Sequence, residues 1–159
     1  MPLSTSITSR LQDQHETIHE LIKGFSEEQL TRKIIPGKWS TLEQIAHLTT
    51  YQPVFLQRIQ RMEHEQGLSF ERYVADNDPN FVECCKKPVK DTLNDLTTQR
   101  FVINNHLTGL SEPALRCSGR HLKYGLLTIP EWTEFFLLHE AHHLFSIFML
   151  TCELRNSLQ

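Results

Sequence analysis

Apolar residues recur along this chain at intervals of three, four and seven, the spacing that gathers side chains on one side of a helix. Leu3, Ile7, Leu11, Ile18, Leu21, Ile22 and Phe25 form the first stripe, which predicts a helix from about residue 4 to Gly24, a residue suited to a helix exit. Leu42, Ile45, Leu48, Phe55, Leu56, Ile59 and Met62 form the second, running toward Gly67 with a kink expected at Pro53, where one backbone donor is missing. Val89, Leu93, Leu96, either Arg100 or Phe101, Ile103 and Leu107 predict a third helix from about Pro88 to Leu107, closed by Gly109. A fourth runs to about Arg155.

Start signals sharpen two of these boundaries. Ser40-Thr41-Leu42-Glu43 has the S-x-x-E form of a capping box, directly after the turn Pro36-Gly37-Lys38-Trp39. Thr128-Ile129-Pro130-Glu131 supplies a cap, a first-turn proline and a capping acid together, and so announces the last helix. Residues 67–87 and 110–127 read as long connections, the first holding at most a short helix around Phe70 to Ala75. No segment alternates with period two, and no repeat appears. The pattern predicts an all-α fold, most economically an antiparallel four-helix bundle in one domain over residues 1–159, whose two long connections cover an end or carry function.

Composition narrows the function classes. A net charge of -3 and 39% hydrophobic residues describe an ordinary soluble globule with no basic field for nucleic acid. The N-terminus has no secretory apolar core, and no stretch approaches the roughly 20 consecutive apolar residues of a membrane span, so a cytoplasmic location without membrane partners is expected. Cys84, Cys85, Cys117 and Cys152 include no C-x-x-C pair and are expected to be reduced.

The histidines change the picture most. Leu138-His139-Glu140-Ala141-His142-His143-Leu144 fits H-E-x-x-H, and so does His15-Glu16-Thr17-Ile18-His19. At about 100° per residue, His139 and His143 share the apolar line of Trp132, Phe136 and Leu150 and point inward, whereas His142 faces elsewhere. His15 and His19 lie off the centre of their stripe, on a face expected to be partly exposed. Two stacked inward imidazoles are hard to satisfy with protein partners alone, and a divalent metal satisfies both. The metzincin continuation fails, because Ser146 and Met149 stand where glycine and histidine belong, and no later helix offers the glutamate of a thermolysin-like site. A third ligand must come from upstream. His47 is the best-placed candidate, against its other reading as an interfacial histidine bonded to a carbonyl; His64, His106 and His121 are weaker ones. Glu140 is the obvious catalytic base by analogy with zincins, yet it points about 100° from His139, which favours its other reading as a solvated or dimer-facing carboxylate. Trp39 and Trp132 fit a core or an entrance.

Three pieces of this chain resemble the DinB/YfiT-like superfamily of small metal-binding four-helix bundles: Pro36-Gly37-Lys38-Trp39-Ser40, Ala46-His47-Leu48, and the closing run from Thr128 to Phe148. The resemblance covers nearly the whole chain. It implies a three-histidine site of His47, His139 and His143 with zinc or nickel and open positions, and homodimers. The loop His121-Leu122-Lys123-Tyr124-Gly125 resembles a family element usually written with proline after the histidine; Leu122 departs from it, so His121 receives no role. Some members resemble transferases that use a low-molecular-weight thiol, which implies a small-molecule thiol and an electrophile as partners. Metal-assisted hydrolysis and a non-enzymatic metal-binding or stress-response dimer are the alternatives.

Overall fold

The computed structural model describes residues 3–157; the outermost residues of the predicted domain lie outside them. The chain opens with α1 (Thr5–Asp13), a 3₁₀ turn over Gln14–Glu16, α2 (Thr17–Ile22) and the short α3 (Glu27–Thr31). Next comes α4 (Thr41–His64), capped by Ser40 with both capping-box hydrogen bonds formed, and continuing through Pro53 as one element. Gly37, at φ +72°, supplies the left-handed turn that swings Trp39 over the start of α4. The connection after α4 contains β1 (Ser69–Phe70) and α5 (Pro79–Cys84), and leads to α6 (Val89–Thr108). Then follow α7 (Glu112–Leu115), the hairpin β2 (Ser118–His121) and β3 (Gly125–Thr128), and α8 (Ile129–Asn156), whose Thr128–Glu131 capping box is also complete.

Four rods, α1–α2, α4, α6 and α8, form the all-α four-helix bundle that the pattern predicts, with antiparallel and parallel neighbours mixed. Along α4, Gln44, Tyr51 and Phe55 meet His143, His139 and Phe136 in falling order, so α4 and α8 are antiparallel. Thr49, Gln52 and Glu63 meet Thr92, Arg100 and His106 in rising order, so α4 and α6 are parallel. Arg10 and Gln14 meet Glu134 and then Glu140, which sets α1 parallel to α8. The bundle is therefore up-down-down-up. That order explains the long connection after α4: a helix of 24 residues is ~36 Å long, and the chain must travel back along it before starting a parallel neighbour.

The same connections hold the three-stranded sheet that periodicity missed, with β1 parallel and β3 antiparallel to β2. Its strands are two to four residues long, too short to alternate visibly. The sheet seals one end of the bundle. Trp132, fully buried, donates its indole N–H to the Gly119 carbonyl at 3.0 Å, and a Cβ at Gly119 would stand 2.7 Å from Met62 Sδ and Phe70 Cε2. Glycine is what lets β2 approach the core so closely.

The interior holds three apolar clusters: a small one of Ala46, Ala75, Phe81 and Cys84, on which Trp39 and Tyr73 pack, and two larger ones within the bundle. One gathers Leu11, Phe55, Ile59, Ile103, Leu107, Trp132 and Phe136; the other gathers Ile18, Ile45, Leu48, Leu93, Leu96, Leu144 and Ile147. Between them a buried polar layer crosses all four rods: His15, His47 with Gln52, Arg100, and Glu140 with His143. A polar layer is costly to bury unless its members bond one another, so its presence in the middle of an apolar bundle marks the place to look for chemistry.

By length and composition α8 is apolar enough to cross a membrane, a property that the core helix of a bundle shares. It carries two apolar faces: a core face, and an outer line of Leu138, Phe145, Phe148 and Met149, each 44–61% exposed.

Candidate metal centre

His47 projects from the second turn of α4, and His139 and His143 from successive turns of α8. Because those helices run antiparallel, the three rings meet at one level. Nε2 of His139 lies 3.1 Å from Nε2 of His47 and 3.1 Å from Nε2 of His143, and one ligand atom from each ring falls within 4.8 Å of the others. Two nitrogens held at 2.0–2.1 Å from one cation, at angles between octahedral and tetrahedral, stand roughly 2.9–3.4 Å apart, so the observed spacing suits a shared ion.

The protonation states agree. Burial pushes the imidazole pKa of His47 down to about 4, that of His139 to about 3 and that of His143 to about 2, with neighbouring imidazoles adding to the last two. All three rings are neutral donors at neutral pH. A neutral ring carries a single N–H. His143 commits its own at Nδ1, donating to Gln44 Oε1 at 2.6 Å, which leaves the Nε2 lone pair facing the other two rings. Nδ1 of His47 and Nδ1 of His139 are buried without a partner among the described residues, so the protein alone leaves these rings under-bonded. Three lone pairs converging in an apolar interior are satisfied by one cation.

Aromatic rings wall the cluster. Trp39 lies tilted 5.1 Å from His47 and stacked 6.2 Å from His143, Tyr73 lies 5.7 Å from His47, and Tyr51 lies 4.8 Å from His139. The Tyr73 hydroxyl donates to Asp78 Oδ2 at 2.8 Å, and burial raises its pKa. His47 and His143 are buried; His139 alone is partly exposed, so access lies on its side. A cavity of about 650 Å³ between α4, α5 and α6 touches this wall through Thr50 and Asp78, but no histidine lines it.

Glu140 corrects both of its sequence readings. Its carboxylate is 1% exposed, neither solvated nor turned toward the three imidazoles. It forms an ion pair with Arg100 and accepts from Gln14 Nε2 at 2.9 Å, while Arg100 Nε donates to Gln52 Oε1 at 3.2 Å and Nη1 to the Leu11 carbonyl at 3.4 Å. This network ties the four rods at the level of the histidines. The alternative left open for α6 resolves as Arg100, with Phe101 66% exposed.

Other histidines disperse. His19 is half exposed as expected, and His142 is exposed. His64 ends α4. His106 pairs with Glu63 at 2.5 Å, and His121 Nδ1 accepts the Lys123 and Tyr124 backbone N–H groups to close the hairpin. His15 is 5% exposed, against expectation. The 3₁₀ turn is the reason: three residues at three per turn advance about 60° further than in an α-helix and rotate His15 inward.

Burial first, then the charges of Arg100 and His19, push the His15 pKa to about 4. A folded pKa below the unfolded value of about 6.5 gives stability that is full above pH 6.5 and lost as pH falls through 4. Thermal melts of metal-free protein should therefore drop across that window, and His15→Gln should drop less than wild type. Equal slopes would contradict this assignment. All four cysteines are free; burial raises the Cys84 thiol and pushes Cys85 up to about 11, which keeps both protonated.

Gln44, Tyr51 and Arg100 were not singled out by sequence reasoning as parts of a site. Gln44 and Tyr51 sit three before and four after His47, the helical neighbours on its face, which is the signal that could have found them.

The model of the DinB superfamily matches residues 10–147. The solved structure of YfiT from Bacillus subtilis, described as a probable metal-dependent hydrolase with an unusual four-helix bundle topology, superposes with a TM-score of 0.78 at 14% identity, covering 92% of this chain and 84% of that one. No curated protein matches the sequence.

Proposed function

We propose, for a chain that belongs to the DinB superfamily, a divalent-metal-dependent enzyme in which His47, His139 and His143 hold zinc or nickel and a low-molecular-weight thiol, its proton lost to solvent, displaces a leaving group such as chloride from an electrophilic small molecule to form a thioether. The observation that carries the reading is the convergence of three neutral Nε2 atoms, with neighbours 3.1 Å apart, in a buried aromatic pocket. Bound there, the ion supplies Lewis-acid activation, lowering the pKa of a coordinated nucleophile.

The chain's own residues do the rest. Gln44 fixes the tautomer and orientation of His143. Trp39, Tyr51 and Tyr73 exclude bulk water, which strengthens every electrostatic interaction inside. Glu140, committed to Arg100, takes no proton from a nucleophile at the histidines. Asp76 acts on His47 through its charge and Asp78 is bonded to Tyr73, so neither is committed to a nucleophile at the histidines; a thiol, whose free pKa is about 8.5, asks less of them than water, which needs far more help to ionise.

Hydrolysis is the second reading, supported by the description of YfiT. The two separate in one experiment on protein reconstituted with zinc or nickel: an aryl chloride electrophile assayed with and without a panel of small thiols, beside an activated ester without thiol. Turnover that requires thiol supports transfer; ester turnover without thiol replaces it with hydrolysis. Stoichiometric metal with neither activity leaves the non-enzymatic dimer.

A cytoplasmic homodimer belongs to the same proposal. The free cysteines support the location, and the outer line of α8 supports the assembly, because Leu138 lies about two turns before Phe145, and Phe148 and Met149 about one turn after it, on one exposed side. Phe145→Glu should shift the mass measured by light scattering from dimer to monomer; an unchanged mass would reject this face.

A further inference from the structure

Three turns along α4 from His47, on the same face, stands an arginine with spare hydrogen-bonding capacity. Eleven residues are about three helical turns, so His47, Tyr51 and Arg58 form one line. The Arg58 guanidinium carbon lies 5.9 Å from the Tyr51 ring, 5.5 Å from Phe70 and 5.7 Å from Trp132. Nη1 donates to the Tyr51 hydroxyl at 3.3 Å and Nη2 to the Glu71 carbonyl at 2.6 Å. Arg61, one turn on, pairs with Glu65, yet no carboxylate pairs with Arg58 among the described residues. A guanidinium has five N–H donors in a rigid fork. Two are used here, so three remain, aimed by three rings that hold the group still.

The surroundings favour an anion. His121 and Lys123 come from the hairpin on the same side; both Arg58 and Lys123 press on His121 as positive neighbours. His139, the partly exposed ligand candidate, is flanked by Tyr51 at 4.8 Å and Phe135 at 6.5 Å, and Phe135 lies 4.9 Å from His121. Ring contacts thus link the three-histidine cluster to Arg58 through Tyr51, and to His121, which feels the Arg58 charge, through Phe135.

We propose that Arg58 binds an oxyanion group of the substrate, a carboxylate or a phosphate, and so orients its reacting atom at His47, His139 and His143. This rests on reading those histidines as the reaction centre. The substrate is then an anionic small molecule whose charged group is anchored beside Tyr51 by a fork suited to two oxygens. A guanidinium that merely packs on aromatic rings would stabilise the fold and bind nothing.

The test uses full-length metal-free protein, labelled at arginine nitrogen and titrated separately with succinate and with inorganic phosphate. The Arg58 Nε–H resonance should shift saturably with at least one of them, and which one identifies the oxyanion. Arg58→Met, which keeps the stem against the rings, should weaken that binding by about tenfold or more, read by calorimetry. Arg58→Lys, which keeps the charge and loses the fork, should fall between, and carries the test if the methionine variant does not fold. Both variants should bind metal like wild type, while His47→Ala should keep anion binding. Loss of metal in His47→Ala together with unchanged anion affinity in both Arg58 variants would overturn this inference and leave the metal reading intact. No saturable shift with either anion would overturn it equally.

Discussion

Arg100→Met or Glu140→Leu, made singly, destabilises the protein by about 3–5 kcal/mol, because each leaves an uncompensated charge in a dry interior. In a domain of this size that loss lowers the melting temperature by roughly 6–20 °C. The double variant should recover most of it, since two apolar side chains replace a pair whose attraction is largely cancelled by desolvation. Arg100 and Glu140 are each 1% exposed, and their partners come from the two other rods: Gln14 and the Leu11 carbonyl from the first, Gln52 from α4. Chemical denaturation of the four proteins forms a complete cycle. Single variants that lose less than about 1 kcal/mol would place the pair on the same footing as surface pairs and reject this account of it. Because Glu140 serves the scaffold, the folded double variant should also bind metal as wild type does.

Gln44→Ala should weaken metal binding by roughly 10–100-fold while leaving the fold intact. Gln44 Oε1 is the acceptor that holds the His143 proton on Nδ1, at 2.6 Å. Without it His143 is free to carry its proton on Nε2, where it removes a donor from the cluster. Gln44→Glu, which keeps an acceptor and adds negative charge, should bind at least as tightly as wild type. Competition titration against a chromophoric chelator measures both. Equal affinity for Ala and wild type would show that the orientation of His143 comes from packing alone.

The long helices and the inward pair on α8 were legible because each rests on local rules: capping boxes at Ser40 and Thr128, and a period that places His139 and His143 on the core face. His47 was legible as the best-placed upstream candidate, and the resemblance at Trp39 to Leu48 singled it out. What escaped depends on long-range geometry. Residues in α4 and α6 do not encode by themselves that the helices run parallel; only the length of the intervening connection hints at it. The hairpin strands are too short for alternation, and β2 needs Gly119 where a strand pattern would place a larger residue. His15 escaped because a 3₁₀ turn changes the phase of the first rod, and Arg100 because a charged residue on an apolar stripe is ambiguous until Glu140 appears opposite it.

Metal content decides the central claim. Native protein purified without chelator, analysed by plasma emission spectrometry beside His47→Ala and checked for folding by circular dichroism, should contain about one divalent ion per chain against almost none in the variant. Equal stoichiometric metal in both would show that His47, His139 and His143 do not share an ion.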